Sequence, residues 1–153
     1  MTAEAKIRTL AQQDATLQSF FGGSNGTFRM FDRQLQPNYL KPGATCCRVR
    51  RISTVQIRSH ETATQRSDNS QVQPRFQIDV LDFSAETARA AAAAICDWLA
   101  RVDFSTNDQF DSPVTTPKRH PNFVLNQRAD MEFTTQPPAY VETLDVRIFN
   151  LEE

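Results

Sequence analysis

Few of the residues able to do chemistry in this chain stand at spacings that chemistry could use. His60 and Glu61 form the only neighbouring His–carboxylate pair, and they fall at the edge of a polar stretch, where they read as a solvated loop pair. His120 sits in Lys118-Arg119-His120-Pro121, another exposed turn. Asp79 and Asp82 lie three residues apart on a strand pattern, so they point to opposite faces and make a poor acid–base pair. Phe20-Phe21-Gly22-Gly23-Ser24-Asn25-Gly26 is glycine-rich, but it lacks the Lys-Ser/Thr end of a phosphate loop and follows a helix rather than a strand. It reads as a helix end and a turn. Cys46, Cys47 and Cys96 show no C-x-x-C or Cys/His ligand spacing, and adjacent cysteines rarely bond each other. Free thiols in a reducing compartment are expected, with no metal and no cofactor. With no nucleophile beside a base and no paired carboxylates, the chain does not read as an enzyme.

The remaining candidates are contact residues. Arg48, Arg50 and Arg58 interleave with Cys47, Val49, Val55 and Ile57 along one strand pattern, which places the arginines together on the face away from the core. Single-strand nucleic-acid binders set aromatic rings on such a face for stacking, and this strand has none. A solvated face, or contact with carboxylates of a protein partner, is the better reading. Trp98 is expected roughly opposite the Ile95/Leu99 stripe of its helix, either at the rim of the core or as an anchor in a subunit contact.

The elements that must position these residues centre on Pro74 to Val102. Phe76, Ile78 and Val80 alternate with Gln77 and Asp79, a strand with one buried face. Ser84 is a good N-cap and Glu86 complements the first turn of a helix. Ala88, Ala91, Ala92, Ile95, Leu99 and Val102 then recur at helical spacing, and so many alanines let the helix lie close on a sheet. Upstream, Ala3 to Phe21 is expected to be helical, with Ile7, Leu10, Leu17 and Phe21 as its stripe. Asp14 can cap a second short turn and break it there. Phe28 to Leu35 reads as a short strand, and Pro37 and Pro42 bracket a turn. Thr45 to Arg58 reads as a long strand whose pattern slips near Ile52, a bulge or a change of partner. His60 to Gln73 and Ser105 to Pro121 are polar and expected to be loops. Phe123, Leu125, Ala129, Met131 and Phe133 suggest the buried face of another strand. Leu144, Val146 and Ile148 mark a last one, its opposite face carrying Thr143, Asp145, Arg147 and Phe149. The order predicts an α+β fold, mainly an antiparallel sheet with two helices packed on one face, in one domain spanning residues 1–153.

At 153 residues the chain is long enough for a real core, and 39% hydrophobic residues is a modest share. A net charge of −1 argues against nucleic-acid binding by bulk electrostatics. Residues 1–80 carry 11 basic and 6 acidic side chains, a balance of +5, whereas residues 81–153 carry 6 and 12, a balance of −6. The two halves either pair within one fold or give the molecule a basic and an acidic flank suited to head-to-tail association. Of 17 basic residues 14 are Arg, the cation favoured at interfaces. With no N-terminal signal and no long apolar run, a soluble intracellular product is expected, without membrane contact.

A family resemblance rests on three stretches. They are a first helix closing in Leu17-x-x-Phe20-Phe21-Gly22, a Pro42-led strand through Cys47-Arg48-Val49, and Arg75-Phe76-Gln77-Ile78-Asp79-Val80 followed by Phe83-Ser84-x-Glu86-Thr87-Ala88 opening an alanine-rich helix. In these the chain resembles the tail-completion, or tail terminator, proteins of long-tailed bacteriophages (minor tail protein U-like). The likeness runs from about Ile7 to Val102 and, more loosely, over the two final strands. It implies a small α+β protein forming a hexameric ring on the end of the finished tail tube. Such a ring halts polymerisation of the tube protein and meets the head–tail connector or head-completion protein, with DNA only passing through its lumen. It also implies assembly in the host cytoplasm and residence in the virion neck. In such a ring Arg48, Arg50 and Arg58 would meet Asp130, Glu132 or Asp145 of a neighbour, with Trp98 and Phe149 as further contacts. Another neck ring is the nearest alternative, and a small ligand-binding or hydrolytic α+β domain the more distant one.

Overall fold

The computed structural model describes residues 2–23, 27–32, 40–57, 71–102, 104, 123–132 and 138–148. Arg58, His60, Glu61, His120, Phe133 and Phe149 lie outside them, as do the turn at Pro37 and the polar segment from Ser105 to Pro121. The elements are α1 (Ala3–Gln12), α2 (Ala15–Phe21), β1 (Met30–Asp32), β2 (Cys46–Ile57), β3 (Gln71–Asp82), α3 (Ala85–Arg101), β4 (Phe123–Glu132) and β5 (Ala139–Arg147). They form an α+β fold with a five-stranded sheet in the order β1-β2-β3-β5-β4. β1 runs parallel to β2, and every other pairing is antiparallel.

The first helical stretch does break at Asp14. Its carboxylate accepts from the Leu17 backbone N–H at 3.0 Å, capping α2, and its second oxygen accepts from Arg101 at the end of α3 at 3.2 Å. α2 ends at Gly22, where a Cβ would lie 2.5 Å from the Gln18 carbonyl oxygen, so only glycine fits the chain's reversal into its bridge with Phe28. Two arginines fasten this corner. Arg29 donates to the carbonyls of Phe20, Gly22 and Thr45, and Arg8 to those of Phe28 and Met30. At Pro42–Gly43 the positive φ of Gly43 (79°) completes a turn closed by Ala44 N–H to the Lys41 carbonyl.

β3 is the middle strand of the five, and α3 follows it directly. Ser84 caps α3 by accepting from the Thr87 N–H. Ala88, Ala91, Ala92, Ile95, Trp98 and Leu99 of α3 are buried. α1, α2 and α3 close one face of the sheet over Cys47, Val49, Phe76, Ile78, Val80, Leu144 and Val146. A smaller cluster of Leu40, Cys46, Leu81, Ala139 and Val141 covers one end of the opposite face, with Phe31 and Phe83 against it. Trp98 belongs to the main core. It is fully buried, edge-on to Phe104 with ring centroids 5.7 Å apart. Its expected place opposite the stripe is therefore corrected: Ile95, Trp98, Leu99 and Val102 are i, i+3, i+4 and i+7 of one face.

Three strand expectations change. The ladder between β2 and β3 shifts register between Arg51 and Ser53, so the slip near Ile52 is a bulge, and the single face drawn from Cys47 to Ile57 ends there. Gln71, Val72 and Gln73, expected in a loop, begin β3 by pairing with Ile57, Gln56 and Val55. β4 does not bury the face expected of it, for Leu125 is 44% and Met131 38% exposed. It is the outermost strand, and α3 lies mainly over β3 and β5, so the helical layer stops short of it.

Candidate protein-contact surface

The sheet face away from the helices carries most of the charge that the sequence singles out. Alternation along each strand sets Arg48 and Arg50 of β2, Arg75, Gln77 and Asp79 of β3, Thr143 and Asp145 of β5, and Arg128, Asp130 and Glu132 of β4 on that face. Its centre is Asp79, which is fully buried. Register places Arg48 directly across from Asp79 on one side and Thr143 on the other. Arg48 Nε donates to Asp79 Oδ2 at 2.5 Å, while Gln77 Nε2 and Thr143 Oγ1 each donate to Asp79 Oδ1 at 2.9 Å. Burial pushes the Asp79 carboxyl up, but the hydrogen bonds from Gln77, Arg48 and Thr143 and the Arg48 charge outweigh it and hold the group below its ordinary value.

Arg48 also reaches across to Glu132, Nη2 to Oε2 at 3.7 Å. Arg75 grips Asp145 through both Nε and Nη2. Arg48, Glu132 and Asp145 thus already have ion-pair partners in their own chain, where pairing with a neighbour was expected. Arg50 and Asp130 remain exposed and without an ion-pair partner among the described residues. The face is a neutralised polar plate with free charges near its flanks.

On the helix side, an open cleft of about 280 Å³ lies between the start of α3 and strands β4 and β5. Ala85, Ala129, Met131, Tyr140 and Val141 make it mostly apolar, with Arg89, Asp130 and Glu142 as its charges. Glu142 is buried and accepts from Gln127 at 3.2 Å. No nucleophile lines this cleft, and among the described residues no group of three or more His, Cys, Asp or Glu could hold a metal ion. Burial raises the Cys46 thiol to about 11 and the Cys47 thiol well above its ordinary value, so both are protonated and unreactive at neutral pH. No helix among the described residues is long and apolar enough to cross a membrane.

Asp79, Gln77, Thr143 and Arg75 were not anticipated as parts of this surface. Their polar alternation was visible, but apart from Gln77, which bonds Asp79 two residues along the same strand, the partners are 31 to 70 residues apart and meet only through register.

No protein family matches the chain, and no curated protein does. Among solved structures, it is similar to a chain from the "Virion of native gene transfer agent (GTA) particle". The two share 19% identity over 96% of this chain and 96% of that one, with a TM-score of 0.48. A likeness of that degree assigns no role.

Proposed function

We propose that this chain is a structural virion protein of the tail-terminator type. Copies form a hexameric ring that caps the tail tube, ends its polymerisation and joins it to the head connector, without catalysis or a cofactor. The resemblance in sequence supports this reading, and one structural observation carries it furthest. The residues that carry the resemblance most distinctively, Arg75 to Val80 and Phe83 to Ala88, form the middle strand and the start of its covering helix. The likeness therefore falls on the framework of the fold and not on a loop. The charged sheet face adds support, because Arg50 from the basic half and Asp130 from the acidic half lie exposed on it, on strands separated by β3 and β5. A basic flank and an acidic flank on one molecule suit a heterologous, closing interface. Arg58 and Phe149 complete the proposed contact set.

Mass measurement over a wide concentration range tests the ring. A hexamer, or a concentration-driven rise to one that Arg50→Glu weakens, is the expected result. A strict monomer at high concentration would count against it.

A further inference from the structure

β4 is a ten-residue edge strand, paired among the described residues only with β5. Val124 through Met131 are exposed on both of its faces. Soluble proteins blunt such edges with proline, lysine or brevity, since an open ladder of N–H and C=O groups is a template for another strand. β4 has no proline and no lysine, and it carries exposed Val124, Leu125 and Met131. What it does carry is a charge pattern that complements itself.

We infer that the β4 edges of two copies of this chain pair antiparallel about a two-fold axis at Ala129. In that register Arg128 of each copy stands directly across from Asp130 of the other, and the pairing occurs twice. Both side chains lie on the face away from the helices, opposite Thr143 and Val141 respectively in the ladder with β5, and cross-strand partners share a face. On the helix side Gln127 meets Met131, and Ala129 meets its own copy with no bulk to separate the strands. The charges also weigh against the neighbouring registers. Side-chain alternation permits slips only in steps of two residues. One such slip sets Arg128 against Arg128; the other sets Asp130 against Asp130 and brings Arg128 opposite Glu132, a carboxylate that Arg48 of its own chain already engages, and like charges directly opposite are unfavourable. Asp130 Oδ1 accepts from its neighbouring Met131 N–H at 2.8 Å, and among the described residues Oδ2 has no partner, so it can accept from the second copy's guanidinium. The ladder of β4 with β5 is irregular between Val124 and Asn126, so the self-pairing stretch runs from Asn126 to Glu132.

This inference does not rest on the ring. A two-fold contact makes dimers, whereas a ring closes through unlike surfaces. Because both contacts draw on Asp130, they are alternatives at any one copy: edge-paired dimers are expected at the low end of a concentration series and the ring at the high end.

Sedimentation of the purified protein over a concentration series, with a charge-swap cycle, tests it. The wild-type chain should dimerise. Arg128→Asp and Asp130→Arg should each weaken dimerisation on the order of tenfold, since each places like charges opposite twice. Arg128→Asp combined with Asp130→Arg should restore it, because the swapped pattern is again self-complementary. Circular dichroism confirms that each variant is folded. Ala129→Cys in the otherwise native chain gives an independent reading, for a short bis-maleimide should link two copies through that position. A wild-type chain that never dimerises, single reversals without effect, a double swap that fails to recover, or dimers that Ala129→Cys cannot link would each overturn the inference. Loss of the hexamer in Arg50→Glu with dimers intact would bear on the ring alone.

Discussion

Replacing Arg48 with Met should cost more folding stability than a surface arginine normally would. Asp79 is fully buried and holds its charge through three donors, of which Arg48 is the only cation. Breaking a fully buried ion pair costs about 3–5 kcal/mol, and losing one hydrogen bond to a charged group about 1.5–3. The Arg48 side chain is 24% exposed, so water can enter where the guanidinium was, and Gln77 and Thr143 remain in place. The lower range applies, and we expect a loss of about 2 kcal/mol at neutral pH. The sign of the pH dependence follows from the lowered Asp79 carboxyl. A depressed carboxyl contributes stability that is present above the ordinary carboxylate range and lost as pH falls through the native value. In Arg48→Met the cation that helps depress it is gone, so Asp79 takes up its proton at higher pH and the burden of a buried charge is relieved. The gap between wild type and variant should therefore narrow below about pH 4. Adding Asp79→Asn to Arg48→Met should recover part of the loss, because no charge is then left unpaired. Urea unfolding at pH 7 and in acid measures all three. A loss under about 0.5 kcal/mol, or a gap unchanged by pH with no recovery in the double variant, would refute the electrostatic account. Reversing Arg48 together with Arg50 would not test the surface alone, since Arg48 also holds the fold.

Two further outcomes follow from the same packing. Ala92→Leu should overpack the layer between α3 and the sheet, where Ala92 is fully buried, and cost roughly 1–3 kcal/mol in a denaturant titration; an unchanged midpoint would mean the buried face is misassigned. In the native protein at pH 8, iodoacetamide should reach the half-buried Cys96 first and spare Cys46 and Cys47, which burial keeps protonated, as peptide mapping by mass spectrometry will show; rapid labelling of Cys47 would contradict its place in the core.

The parts of the fold legible in the sequence are those where one local period decides everything. Phe76, Ile78 and Val80, then Ser84 and the alanine stripe, specify β3 and α3 without help from distant residues. The same arithmetic applied to Trp98 places it on the stripe, since it stands three residues from Ile95. β4 shows the limit of the method. Its alternation is real and it is a strand, but alternation cannot say whether anything covers the apolar side. The surface was legible by halves. Arg48 and Arg50 were readable as a polar face, yet that Arg48 meets Asp79 depends on a register fixed across the connection between β2 and β3. Arg8 and Arg29, which bind backbone carbonyls at the first corner, left no pattern at all, because carbonyl acceptors carry no residue signature.

The central claim is that the protein caps a tail tube, and electron microscopy of growing tubes tests it most directly. Tube protein polymerising with and without the purified chain should give tubes that stop at a defined end bearing a six-fold ring when the chain is present, and that continue to lengthen when it is absent. Tubes that grow equally in both cases, with no density added at their ends, would contradict the account.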